Sequence, residues 1–511
     1  MKERPKPFTA NPRSLAFRLF FAFCASFAVL TVCTKSSFLY PMNDWVDVNC
    51  FFTVGRGILH GLTPYKDLYE QKGPLIYFLF AIAGTVSESS FLGVYLMEGL
   101  FFGWFLYLSG RIAETLSGIK NVYWFSVPLL AVLIPLTPAF SHGASAEEFF
   151  LPVLALGLLI VLKAMHEKKL LTDGQGFLLG LCAAAALWTK YTFCGLFVGL
   201  ALAVIARYLF AKMAKPLLRL VGFFLLGSLA LSAAVIGWFA LKDAVPDLWQ
   251  AYFVDNLAQY SKNIRGGQYD APLPNLLNNL PWSIPGVLGL LWLTVCLKRH
   301  GWEALAAWLG AAGLFVFTYW SGRRYPYYAL VLAVFSPLGF GAVGLLFGFF
   351  TKNVKPKIKT VVSAAVAFAL LIAGPLVCLQ FSQNTYLMKV QKEDMPPYRF
   401  AEIIRESDDR TLLNYGFLDG GFYLAAGVQP SNRFFCTLNI DLPEMETSLK
   451  ESIEQGKTAF VITRSRKLRN SSIYQLVDEA SLEFEGRTWE YYLYRRKNTG
   501  ESTQAPGRRK N

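Results

Sequence analysis

Charge is scarce in this 511-residue chain: Asp, Glu, Lys and Arg make up 16% of it, against 54% hydrophobic residues. Soluble domains carry about 25% charge, so a disordered chain is excluded and a purely water-soluble globule is disfavoured. Cysteine is present but unpatterned. The eight cysteines, at 24, 33, 50, 182, 194, 296, 378 and 436, form no CxxC pair, and six lie in or at the ends of apolar runs. Neither a disulfide framework nor a cysteine metal site is supported. The first apolar run, 15–33, follows Lys2, Arg4, Lys6 and Arg13 and lacks an A-x-A-like cleavage site; it reads as a retained anchor. Neither a 20–50-residue repeat nor an inverted repeat of the transporter kind is visible.

What is there is apolar sequence in long runs. With about 20 residues needed per crossing, and about 17 sufficient, eleven spans are expected: 15–33, 91–110, 122–140, 149–165, 175–189, 192–211, 219–241, 285–297, 303–320, 327–350 and 360–380. Gly73–Val86 is too short and opens on Gly-Pro, so it is expected as an interfacial helix within a long first loop. The net charge of +14 agrees. Residues 381–511 hold 19 Lys and Arg against 18 Asp and Glu, so nearly all the excess lies between apolar runs and reads as topology, not as a nucleic-acid footprint. With a cytoplasmic N-terminus, the inside segments carry 17 Lys and Arg in 57 residues and the outside loops 10 in 116, as the positive-inside rule requires.

This places two acidic loops outside: the first over 34–90 and the second over 141–148. A third, 242–284, is rich in aromatic and amide residues. After the last span the composition changes. Residues 381–496 mix strand-like runs (TLLNYG, TAFVIT, WEYYLYRR) with an amphipathic stretch at 398–406, which predicts a small α/β domain on the outer face; residues 497–511 read as a disordered tail. The expected whole is mainly α: a polytopic helical bundle over 1–380, a large first extracytoplasmic loop and a small extracytoplasmic α/β domain.

Ionisable groups held at membrane level are costly, so each invites a role. Asp44 and Asp47 stand three apart in NDWVDVNCFF and would share a face of a helix beginning near Asn43; a cap and a helix-dipole partner are the structural alternatives. YKDLYEQKGP (65–74) puts Lys72 beside a Gly-Pro turn at the boundary, where an ammonium can hold a lipid-linked phosphate as a point charge. Glu147 and Glu148 begin a span, Lys190 ends one, and Arg323 and Arg324 occupy a tight outside turn; helix-dipole and anchoring roles compete with function at each. Glu98, inside the second span, reads as an interhelical contact. His142 lacks a partner at ligand spacing, so zinc is disfavoured. Carboxylates from two loops together with Lys72, Lys190 and Arg324 suit one chemistry: a carboxylate removes the proton of an acceptor hydroxyl while cations stabilise a departing phosphate.

The residues DVNCFFTVGRGILHGLTPYKDLYEQKGPLIYFLFAIAG (47–84), ASAEEFFLPVLAL (144–156), LWTKYTFCGL (187–196) and GRRYPYYALVLAVFSPL (322–338) resemble the GT-C superfamily of polytopic glycosyltransferases, in the branch of the protein O-mannosyltransferases and lipid A aminoarabinose transferases. The first stretch resembles the family's first-loop pattern; the others resemble its second-loop acidic motif, a span with a Lys near its outer end, and an R-x-x-H-Y motif in which Tyr327 stands where histidine is usual. The resemblance covers roughly 15–350. It implies an inverting transfer of a sugar from a polyprenyl-phosphate donor to an extracytoplasmic acceptor, be it protein, lipid or cell-envelope polymer. Asp47 would be the general base, Lys72, Lys190 and Arg324 would hold the donor phosphate, and Asp44, Glu147 and Glu148 would serve the acceptor or a divalent metal. Tyr65, Asp67, Glu70 and Tyr328 would support them. The branch also implies a bacterial inner-membrane protein. The competing readings are a lipid-linked glycan flippase, for which the spans carry few ionisable residues besides Glu98 and Glu303, and a polymerase or ligase using a diphosphate-linked donor.

Overall fold

A computed structural model describes residues 12–260, 272–320, 325–469, 471–484 and 486–497. Its membrane-level helices are, in chain order, α1 (Pro12–Cys33), α2 (Val46–Leu59), α3 (Pro74–Val86), α4 (Leu92–Ser117), α5 (Val122–Leu133), α6 (Ala146–His166), α7 (Asp173–Thr189), α8 (Cys194–Phe210), α9 (Ala214–Ala240), α10 (Val245–Leu248), α11 (Pro272–Leu277), α12 (Leu280–Val295), α13 (Leu297–Tyr319), α14 (Ser336–Phe350) and α15 (Pro356–Phe381). A 3₁₀ stretch, Pro326–Phe335, leads directly into α14.

Among the described residues, eight helical segments are long and apolar enough to cross a bilayer. Each of the eleven apolar runs lies largely on helix, but α5, α7 and α12 fall short of that length. A helix satisfies all its backbone donors and acceptors within itself, which is why apolar sequence at membrane depth folds this way. α9 and α15 turn most of their apolar side chains outward, including Leu229 and Phe368, as expected where lipid is the solvent. Some boundaries differ from expectation. The run 122–140 is helical only to Leu133, after which the chain turns. The expected inside loop at 298–302 is helix, with a kink at His300 (φ −125°, ψ 31°). The loop expected as the third outer one contains a π-helical turn, Trp249–Tyr260.

The first loop is ordered by packing. Phe51 and Phe52 of α2 meet Phe80 of α3, and a Cβ on Gly55 would lie 2.7 Å from the backbone of Phe80 and Ala81; only glycine admits so close an approach. α3 is a 13-residue helix, too short to span.

Residues beyond α15 form a four-stranded sheet in the order β1 (Leu412–Tyr415), β2 (Phe460–Arg464), β4 (Arg487–Arg496), β3 (Tyr474–Phe484). β1 and β2 pair in parallel, and β4 runs antiparallel to both neighbours. The three strand-like runs become β1, β2 and β4. β3 escapes the pattern because its residues alternate poorly and it slips register between Leu476 and Asp478. Helices α16 (Pro396–Arg405), α17 (Phe422–Ala426) and α18 (Pro443–Glu454) accompany the sheet. Lys497 donates its N–H to Ile473; the rest of the expected tail, 498–511, lies outside the described residues.

This sheet unit and the first loop share one apolar core, in which Val48 and Phe52 belong with Phe422, Phe460 and Leu493. Within it Thr53 donates to the buried carboxylate of Asp419 at 2.6 Å, and the thiols of Cys50 and Cys436 stand 3.9 Å apart. Burial raises the Asp419 pKa above the usual carboxylate value, against the hydrogen bonds from Thr53, Gly421 and Asn414. Removing one donor therefore leaves a costly group under-satisfied. Thr53→Val, which keeps the shape, is expected to destabilise the protein by about 1.5–3 kcal/mol, read as a lowered unfolding transition in detergent; an unchanged transition would show that this contact does not hold the two parts together.

Candidate active site

Asp47 lies in the first turn of α2, where a carboxylate is favoured by the helix dipole. It is half-buried, and its Oδ2 accepts a hydrogen bond from the Tyr327 hydroxyl at 3.1 Å. Tyr327 belongs to the 3₁₀ stretch before α14, so this bond joins residues 280 positions apart. Its ring packs edge-on against Trp45, at 5.1 Å between centroids.

Lys72 is held by its own backbone. The Tyr65 hydroxyl donates to the Lys72 carbonyl at 2.6 Å, the Lys72 N–H donates to Glu70 Oε2 at 2.9 Å, and Tyr77 closes a short bond to the same carboxylate. Tyr65 takes φ +69°, a strained value for a side chain with a Cβ. Its carbonyl is fixed by Arg433 Nε at 2.9 Å, and Asp67 closes the turn by accepting from the Thr63 N–H at 2.7 Å. With the backbone fixed, the Lys72 ammonium reaches to 5.8 Å from the Phe51 ring, one helical turn beyond Asp47 on the same face of α2.

Gly73 explains why Lys72 meets a second cation. Its N–H donates to the Thr189 carbonyl at 3.1 Å, and a Cβ there would lie 2.2 Å from the Trp188 carbonyl oxygen. The loop is thus pressed onto the end of α7, next to Lys190. The Lys190 ammonium is 2.5 Å from Glu147 Oε1, 3.5 Å from the Tyr328 ring centroid and 5.8 Å from that of Tyr327. Lys72, Lys190 and Tyr328 line one narrow cleft with Tyr252 and Asn256 of the π-helical turn. Asn256 fixes that turn to the loop by donating to the Gln71 carbonyl at 2.6 Å.

No family model and no curated relative matches the chain. Among solved structures, the chain is similar to ArnT from Cupriavidus metallidurans bound to undecaprenyl phosphate, with a TM-score of 0.61 at 13% identity over 97% of this chain and 100% of that one. Apo ArnT from the same organism aligns at 0.59 and 13% identity, over 94% and 98%. The Archaeoglobus fulgidus oligosaccharyltransferase in complex with Zn and sulfate aligns at 0.46 and 14% identity, over 87% of this chain and 67% of that one. The chain has the GT-C fold.

On this GT-C scaffold the remaining acidic residues are engaged in different ways. Asp44 precedes α2, so it does not share the helical face of Asp47. It forms a buried ion pair with Lys35 at 2.7 Å, the two side chains being 2% and 1% exposed, and Lys35 also donates to the Tyr386 hydroxyl at 3.2 Å. Glu147 and Glu148 begin α6, which Ser145 caps by accepting from the Glu148 N–H at 3.0 Å. Glu148 Oε2 and Glu98 Oε1 both accept from the Ala144 N–H, at 2.8 and 2.7 Å, so Glu98 ties α4 to the second loop. His142 packs against Trp45 at 5.4 Å. Arg323 and Arg324 lie outside the described residues.

A divalent ion at Asp44 or Glu147 would have to displace a lysine already within 2.7 or 2.5 Å. Among the described residues, the group with three ligand atoms within 4.8 Å of one another is His166, His300 and Glu303, at the other end of α6. Sequence reasoning weighed Tyr327 only as a missing histidine; its hydroxyl is the donor to Asp47. It also passed over Tyr252 and Asn256, whose signal was the aromatic and amide content of the third loop.

The Lys190–Glu147 pair is buried enough for its two halves to depend on each other, with Glu147 at 2% exposure. Lys190→Met alone is expected to cost about 3–5 kcal/mol by stranding the carboxylate. Combining it with Glu147→Gln should recover about 1–3 kcal/mol relative to additivity, measured as a double-mutant cycle on unfolding in nanodiscs. Strict additivity would dissolve the pair.

Proposed function

We propose that this protein is a membrane glycosyltransferase that moves a sugar from a polyprenyl-phosphate-linked donor to an acceptor hydroxyl, with inversion at the anomeric carbon. One observation carries the reading: Tyr327 links a half-buried carboxylate, Asp47, to Lys190, which shares a cleft with Lys72 from a separate part of the chain. General-base chemistry and stabilisation of a departing phosphate need this pairing of signs. The GT-C fold supports it, as does undecaprenyl phosphate in the similar ArnT structure.

In this reading Asp47 accepts the proton of the acceptor hydroxyl, and the Tyr327 hydroxyl orients the carboxylate. The acceptor oxygen forms a bond to the anomeric carbon on the face opposite the phosphate. The carbon–oxygen bond to phosphate breaks with its electron pair going to the phosphate, and the polyprenyl phosphate departs with its charge balanced by Lys72 and Lys190. Arg324 is assigned to the same phosphate from its motif. Glu147 orients Lys190; Tyr65, Asp67 and Glu70 hold Lys72 in place, and Tyr328 offers its ring to Lys190. Asp44 and Glu148 brace the first two loops beside the acceptor. The cleft faces outward, the N-terminus lies in the cytoplasm and the sheet unit caps the outer side of a bacterial inner membrane.

Asp47→Asn is expected to lower transfer by about 10²–10⁴-fold while leaving folding and retention of polyprenyl phosphate intact; the readout is sugar transfer from a polyprenyl-monophosphate donor by the purified protein, and normal turnover would overturn the assignment. Lys72→Met should instead weaken binding of the polyprenyl phosphate itself, seen by native mass spectrometry. Activity only with diphosphate-linked donors would favour a polymerase or ligase.

A further inference from the structure

At the end of the bundle opposite the candidate active site lies a second, larger cavity of about 940 Å³ between the ends of α6, α8, α12 and α13. α6, which carries Glu147 in its first turn and ends beside this cavity, has 21 residues and is about 30 Å long, the thickness of a bilayer's hydrocarbon core. Four cations line it: Lys168, Arg207, Lys298 and Arg299. One carboxylate, Glu303, shares the wall, and both His166 Nδ1 and His300 Nδ1 lie 3.2 Å from its Oε1, so one of its two oxygens is already engaged.

Basic residues near one membrane face are common, and several at this end are paired with carboxylates. Arg18 and Arg111 meet Glu114, Lys169 meets Glu167 and Arg219 meets Asp173. Among the described residues, Lys168, Lys298 and Arg299 have no salt-bridge partner, and unlike Lys352 and Lys355, which also lack one, they line a single cavity. The cavity is also bordered by apolar surface turned outward: Val295 is 86% exposed and Phe210 is 82% exposed. Trp302 and Trp308 stand in its wall, the residue type that settles at the headgroup level of a bilayer. Four converging cations favour an anion over a metal cation as the occupant, and the outward-turned apolar rim suits an anion that carries acyl chains.

We propose that this cavity binds the headgroup of an acidic phospholipid, with Lys298 and Arg299 as the principal phosphate ligands and the two tryptophans beside the glycerol and upper acyl region. The site is separate from the proposed donor cleft and does not depend on the catalytic reading.

The test is native mass spectrometry of the full-length protein in non-ionic detergent, with dioleoylphosphatidylglycerol and dioleoylphosphatidylcholine competing at equal concentration. The expected result is preferential retention of phosphatidylglycerol, reduced about tenfold or more by Lys298→Gln with Arg299→Gln. The charge-matched control Lys352→Gln with Lys355→Gln, at the same end but outside the cavity, should leave the preference unchanged. Equal retention of the two lipids, or a preference lowered alike by both double variants, would overturn the proposal. Loss of the bound lipid to inorganic phosphate would overturn it too, by showing that the site recognises the free anion.

Discussion

The ammonium of Lys190 sits where helix α7 ends, and much of the surrounding architecture is organised around keeping that charge satisfied. Glu147 takes one of its donors at 2.5 Å. The faces of Tyr328 and Tyr327 take up more of its field, an interaction that strengthens as water is excluded. Three separate chain segments must therefore meet here: the end of α7, the start of α6 and the 3₁₀ stretch before α14. Through Tyr327 the arrangement reaches Asp47, so the position of the carboxylate and that of the cation are not independent.

The first loop is the other half of this arrangement. Gly73 brings Lys72 against the end of α7 because no side chain intervenes. The sheet unit then holds the loop from the far side, through Arg433 on Tyr65 and Asp419 on Thr53. A loop of this length would be costly to order alone; sharing a core with a folded unit offsets that cost. The sheet unit is thus part of what positions the site.

The two ends of the bundle use charge differently. At the candidate active site the described cations are matched to carboxylates or rings and held at defined distances. At the opposite end some basic residues are paired with carboxylates, and four others converge on one cavity. Electrostatics at membrane level is expensive, which makes both the matched and the unmatched arrangements informative.

The sequence by itself determined the membrane character, the helical runs, the shortness of α3 and the identity of Asp47, Lys72, Glu147 and Lys190 as candidates. These are local properties: apolar run length, charge bias between runs and the ordering of turn residues. It could not reveal that Asp44 is spoken for by Lys35, that Tyr327 donates to Asp47, or that the third loop delivers Asn256 to the first. Nor did it mark β3, whose pattern is weak, or the convergence of Lys168 with Lys298 and Arg299. Only the tertiary structure decided those, because hydrogen bonds and ion pairs are made at about 3 Å between groups that lie up to hundreds of residues apart, and no periodicity along the chain encodes which distant partner arrives.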